Sequence, residues 1–162
     1  MAVKLKFHGA TRTVTGSCYV IDTGSARVMV DCGMFQGPRT VTELNYRAFP
    51  FDPRQITALV LTHAHIDHTG LVPKLVKHGF TNAIHATPAT IDLCAIMLPD
   101  SGFIQETEVK QLNERNRRKG LPEVEPIYGL EDAMAAVQLM KPQAYEQWFS
   151  PAPGIRMRYW NA

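Results

Sequence analysis

Val3, Leu5 and Phe7 alternate with Lys4, Lys6 and His8, a period of two that predicts a strand with one face buried. Two more β-rich runs, Ser17 to Asp22 and Ala26 to Val30, meet across Thr23-Gly24-Ser25; glycine there supplies the positive φ of a short hairpin loop. Ile56 to Thr62 is apolar without alternation and runs straight into a polar cluster, the pattern of a central strand covered on both faces.

Helical spacing takes over afterwards. Leu71, Val72, Leu75 and Val76 recur on one face, Pro73 falls in the first turn and Gly79 offers a left-handed C-terminal cap. Ala83 and Ile84 form a short strand, and Thr87-Pro88 reads as an N-cap followed by proline at the first helical position. That helix is expected to run to about Leu98 and to be interrupted at Pro99, with a separate, mostly polar surface helix from Phe103 to Lys119. Gly120 to Gly129, with Pro122 and Pro126, reads as a connecting loop. Glu131 and Asp132 open a last helix with Met134, Val137 and Met140 as its apolar stripe, ended by Lys141-Pro142; Ile155 to Trp160 alternates as a final strand. Strands alternating with helices predict an α/β layered architecture.

With 162 residues, 45% hydrophobic and 20% charged content, the composition excludes a disordered chain, a collagen and a coiled coil, and one domain is expected. A core of this size needs no metal or disulfide staple, so any metal is functional. The balance of 17 basic to 15 acidic residues, a net charge of +2, neither announces nor excludes a nucleic-acid partner. Cys18, Cys32 and Cys94 form no C-x-x-C pair, so no disulfide framework or thiolate zinc site is indicated. The start does not read as a signal peptide, and no apolar run is long enough for a membrane span. A cytoplasmic location with no membrane partner is expected.

The chemistry concentrates in H-A-H-I-D-H at residues 63–68, directly after the central strand. His63 and His65 project the same way from an extended segment, and a turn at Asp67-His68 aims a second pair at the same crevice. Imidazole and carboxylate donors suit zinc, with manganese or iron as alternatives, and two mixed pairs suit a binuclear centre. Histidines that merely bond the backbone would leave four clustered polar groups to be desolvated beside a buried strand. Spacing also excludes the helical H-E-x-x-H arrangement. Asp31, at the tip of the Val28-Met29-Val30 strand, is placed to orient a ligating histidine or its loop, although a turn-forming aspartate is the plainer alternative.

These residues resemble the metallo-β-lactamase-fold hydrolases. The branch they most resemble is that of the RNA-processing β-CASP nucleases. The segments that carry this are G-A-T-R-T-V-T-G-S-C near the start, V-D-C-G-M-F-Q-G at 30–37, T-H-A-H-I-D-H-T-G-L-V-P-K-L at 62–75 and L-P-D-S-G-F-I-Q-E at 98–106. The resemblance implies the amino-terminal part of a layered αββα fold, with residues 1–162 as a partial metallo-β-lactamase domain. It implies His63 and His65 on a first zinc, Asp67 and His68 on a second, Asp31 as a buried carboxylate behind them, and Asp67 as the residue that holds or deprotonates the nucleophile. The implied activity is zinc-dependent cleavage of RNA phosphodiester bonds with RNA as partner. A thioester or lactone hydrolase of the same fold, and a non-catalytic metal-binding fragment, are the alternatives. A homodimer is left open.

Two catalytic zincs need about three protein ligands each, so four donors fall short. In the family, the third histidine, a bridging aspartate, a further histidine and the β-CASP domain all come later than Ala162. The chain is therefore expected to be an amino-terminal fragment, nearly inactive alone. His8, His78 and His85 read as structural histidines rather than replacements. Asp100 with Ser101 is either near the substrate or an N-cap. Arg115, Arg117, Arg118 and Lys119 read as a solvated helix end rather than an RNA contact.

Overall fold

The unbroken apolar run after Gln55 becomes the middle of a mixed six-stranded sheet. A computed structural model describes residues 2–160. Its strands β1 (Lys4–Phe7), β2 (Tyr19–Asp22), β3 (Arg27–Val30), β4 (Ala58–Val60), β5 (Ile84–Ala86) and β6 (Met140–Pro142) lie side by side in chain order. The first three are antiparallel, and β3 to β6 are parallel. Register lines up Val20, Met29, Leu59, Ile84 and Met140 in one apolar row across the sheet, and all five are buried. Over that face pack α3 (Val72–Lys77), α4 (Pro88–Arg118) and α5 (Leu130–Gln138). On the opposite face Ala26, Val28 and Val60 are covered by Ala152, from a second, two-stranded sheet of β7 (Phe149–Ala152) and β8 (Ile155–Met157), and by Tyr159, just past β8. Helices, sheet and second sheet make three of the layers expected of an αββα arrangement.

Several expectations are corrected. The apolar face of β1 is exposed, with Leu5 at 55% and Phe7 at 58%. Register places both on the side that faces the second sheet, but β7 lies over β3, β4 and, through Phe149 on His85, β5, on the far side of β2 from β1. Proline does not interrupt α4, which runs unbroken for 31 residues with Pro99 inside it. Proline removes one backbone hydrogen bond, and here the buried stripe Cys94, Leu98 and Gly102 holds both flanks on one axis. Met140 belongs to strand β6, not to the stripe of α5, and Met134 is 51% exposed. The inward residues of α5 are Ala133 and Ala136. Small residues win there because the helices cross closely: a β-carbon at Gly102 would meet the Gly129 carbonyl carbon at 2.8 Å. Strand β7 had no expectation, and the last strand is shorter than 155–160. The predicted caps hold: Thr87 accepts the amide of Thr90, and Gly79 has φ of +101°. All three cysteines are free and buried. Among the described residues no helix is long and apolar enough to cross a membrane.

Candidate metal centre

Past β4 the chain stays buried through Leu61 and then emerges as Thr62-His63-Ala64-His65. His65 caps α2, a single turn over Ile66–Thr69, so the second donor pair sits on a helical turn rather than in an open loop. The backbone of this turn is clamped from below by the strands' connecting segments. The amide of Ser17 donates to the Asp67 carbonyl at 2.9 Å, that of Cys32 to His68 at 2.9 Å and that of Met34 to Ile66 at 3.0 Å. Gly33 makes the approach feasible, because a β-carbon there would overlap the Asp67 carbonyl and lie 2.7 Å from the His68 nitrogen. Thr69 closes the turn, its hydroxyl donating to the carbonyls of Ala64 at 3.1 Å and His65 at 3.0 Å.

Asp31 lies under the donors, 1% exposed and at φ of +59°. Aspartate tolerates this left-handed conformation better than most residues, and the bend turns its carboxylate back beneath the motif. One carboxylate oxygen accepts the Thr62 amide at 2.8 Å. The other accepts the Ser17 hydroxyl at 3.1 Å and lies 2.7 Å from His68 Nδ1. An Nδ1–H donated to Asp31 leaves His68 Nε2 with a free lone pair. The Thr62 hydroxyl, 2.9 Å from Asp31 and 3.0 Å from His63 Nδ1, likewise steers His63 to present Nε2.

The donors gather in two adjacent pairs. His63 Nε2 and His65 Nδ1 are 3.2 Å apart, close to the ~3.3 Å that separates two nitrogens on one tetrahedral zinc. Asp67 Oδ2 and His68 Nε2 are 3.7 Å apart, and the rings of His63 and His68 have centroids 4.0 Å apart. Burial, then the neighbouring imidazoles of His68 and His65, hold His63 below its ordinary pKa, so it keeps a lone pair to lower pH than a solvated histidine. Among the described residues, no group of three or more such donors converges as a complete metal site. The fit is by pairs, with each pair leaving coordination positions for other ligands.

Thr62, Ser17 and Gly33 supply this framework without having been assigned a role from sequence. Thr62 adjoins His63 and Gly33 follows closely on Asp31, which is a local signal, whereas Ser17 stands 14 residues before Asp31 and has none. The remaining histidines have partners elsewhere: His8 packs on Phe51, His78 meets the edge of Phe49, and His85 bonds Gln143 at 3.0 Å and packs against Phe149. Asp100 is no N-cap, since it lies inside α4. It lines a groove of about 510 Å³ with Met34, Gln36 and Tyr46, and Met34 touches the clamped turn. Ser101 instead accepts the Tyr128 hydroxyl at 2.9 Å. In the basic run, Arg117 pairs with Glu123 at 2.7 Å on the surface.

An Asp31→Ala variant should weaken zinc binding about 10- to 100-fold, read by competition with a chromogenic chelator. Thr62, Ser17 and His68 would each lose an acceptor, and unchanged affinity would show that Asp31 does not orient His68.

The Metallo-beta-lactamase superfamily profile matches residues 11–94. Ribonuclease TTHA0252 of Thermus thermophilus is 37% identical over 140 residues, covering 86% of this chain and 28% of that protein. Transcription termination factor FttA of Methanosarcina mazei is 31% identical over 163 residues, covering 99% of this chain and 23% of that protein. The chain thus spans about a quarter of the length of these relatives. In structure it resembles MEM-A1, a subclass B3 metallo-beta-lactamase from a soil metagenome library, with a TM-score of 0.50 and 16% identity over 92% of this chain and 46% of that one.

Proposed function

Because the chain belongs to the metallo-beta-lactamase superfamily, we propose that it forms part of a β-CASP-type hydrolase that cleaves RNA phosphodiester bonds with a pair of zinc ions. The observation that carries this reading is the two-pair donor arrangement of His63 with His65 and of Asp67 with His68, oriented from beneath by Asp31. RNA as the substrate class is supported by the ribonuclease that matches 86% of the chain. Residues 1–162 then act as part of the metal-binding domain, and the remaining ligands come from outside the four donors described here.

His63 Nε2 and His65 Nδ1 would hold one ion, and Asp67 Oδ2 and His68 Nε2 the other. Bound there, the ions supply Lewis-acid activation of water and neutralise charge on the attacked phosphate. The protein's own part is positional and acid–base. Asp31 fixes the tautomer of His68, and Thr62 fixes that of His63. Asp67 keeps its second carboxylate oxygen, Oδ1, for the proton of the attacking water. The clamp on its carbonyl stops the turn from swinging away. The groove along Met34, Gln36, Tyr46 and Asp100 begins beside this turn and offers a course for the chain being cut.

Protein expressed from its complete reading frame should cleave a labelled single-stranded RNA in the presence of zinc and stop on addition of EDTA. A parallel screen with thioester and lactone substrates separates the alternative chemistry. Hydrolysis of those substrates without RNA cleavage overturns the reading, and so does the absence of any hydrolysis.

A further inference from the structure

Strands β2 and β3 do not pair evenly at the end nearest the donors. Tyr19 is paired with Val30, and the amide of Gly33 donates to the Ser17 carbonyl at 2.9 Å. Between these two links one residue, Cys18, stands against two, Asp31 and Cys32. The result is a β-bulge, with the left-handed Asp31 as its extra residue. Residues opposed across an antiparallel pair have Cα atoms roughly 4.5–5.5 Å apart, inside the roughly 4.4–6.8 Å that a disulfide spans. Cys18 and Cys32 are 7% and 1% exposed, and both line a cavity of about 60 Å³ together with His8, Phe35, Leu71 and Lys74. The walls of this cavity all come from the chain itself.

Such a volume admits a molecule of a few heavy atoms and excludes a peptide-sized reagent. Lys74 fixes a positive charge in the wall, its ammonium donating to the carbonyls of Asn45 and Arg47 at 2.6 Å each, and a cation beside a thiol eases loss of its proton. Hydrogen bonding to Cys18, then burial, nevertheless hold the proton on Cys32, which leaves Cys18 as the sulfur that attacks. Both thiols sit on the clamp beneath the donors. The amide of Ser17, next to Cys18, holds the Asp67 carbonyl, and that of Cys32 holds the His68 carbonyl. Asp31, next to Cys32, holds the His68 ring. Closing the two sulfurs to the ~2.05 Å of a disulfide therefore pulls on all three contacts at once.

We propose that Cys18 and Cys32 form a peroxide-responsive thiol pair, whose oxidation to a disulfide distorts the clamp and weakens metal binding at the donors above it. The Cys18 sulfur attacks one oxygen of hydrogen peroxide, the O–O bond breaks, and water leaves with Cys18 as a sulfenic acid. The Cys32 sulfur then attacks the Cys18 sulfur, the S–O bond breaks, and a second water leaves with the Cys32 proton. Two thiols lose two electrons, and one peroxide becomes two waters. The effect on metal binding rests on the reading of the four donors as zinc ligands, whereas formation of the disulfide does not. Metal-free protein from the complete reading frame, treated while folded with hydrogen peroxide, then alkylated and digested, should show a Cys18–Cys32 link by mass spectrometry. The link should form at least tenfold faster than with oxidised glutathione, which the cavity excludes, and dithiothreitol should reverse it. Zinc affinity, read against a chromogenic chelator, should fall about tenfold on oxidation and recover on reduction. Cys32→Ala should abolish the response and Cys94→Ala should retain it, since Cys94 bonds Thr69 instead, with far-UV circular dichroism confirming that both variants fold. No such link in the folded protein, equal rates with glutathione disulfide, or a response that survives Cys32→Ala overturns the proposal. A protein that binds no zinc in either state would defeat the proposed metal centre itself, whereas zinc binding that ignores a mapped link would defeat only the coupling inferred here.

Discussion

Replacing Asp67 with asparagine should lower RNA cleavage by about 10²- to 10⁴-fold, the range expected when a positioned acid–base group is lost. The variant is informative because it is nearly isosteric. The Asp67 backbone is held through its carbonyl by Ser17, and its neighbours through the amides of Cys32 and Met34, so the turn has no reason to move when the side-chain charge is removed. Asparagine keeps one oxygen for a metal ion but has no carboxylate to take a proton. Thermal unfolding should therefore stay within a degree or two of the parent while cleavage collapses, measured on protein from the complete reading frame with zinc in excess. Activity within tenfold of the parent would remove Asp67 from the acid–base role.

Gly33→Ala should do the opposite and damage the scaffold first. The added carbon meets the Asp67 carbonyl, which is backbone rather than the yielding end of a side chain. Either the 31–34 segment or the α2 turn has to shift, breaking the hydrogen bonds that join them. Overpacking of a rigid contact costs about 1–3 kcal/mol and sometimes more. Here the upper end, ~3 kcal/mol, corresponds to a fall of about 10 °C in the unfolding midpoint for a domain of this size. Zinc affinity should fall with it, because the same shift pulls Asp67 and His68 away from Asp31. An unchanged midpoint together with unchanged zinc affinity would mean that the two segments are not in fact pressed together.

The two variants separate what this protein owes to its donors from what it owes to their support, and the sequence exposes these unequally. The donors are legible because they are contiguous: six residues after a buried strand contain three imidazoles and a carboxylate. The hairpin, the helix caps at Thr87 and Gly79, and the central strand are legible for the same reason, each being a matter of neighbours within a few positions. The support is not local. Asp31 stands 37 residues from His68, and nothing in the spelling of 30–34 says that Gly33 must admit the backbone of Asp67.

The α/β alternation, the central strand and the cluster of three imidazoles and a carboxylate that follows it are readable from the order of residues alone, because periodicity and capping act over single turns and pleats. Packing between segments far apart in the chain set the rest. It carried α4 straight through Pro99, drew Met140 out of a helical stripe into a parallel strand, and left Leu5 and Phe7 uncovered at the sheet's edge. It also folded a left-handed aspartate beneath the histidines. Each of these outcomes is a balance between a local preference and packing against residues far away in the chain, and the packing term becomes available only when the layers meet.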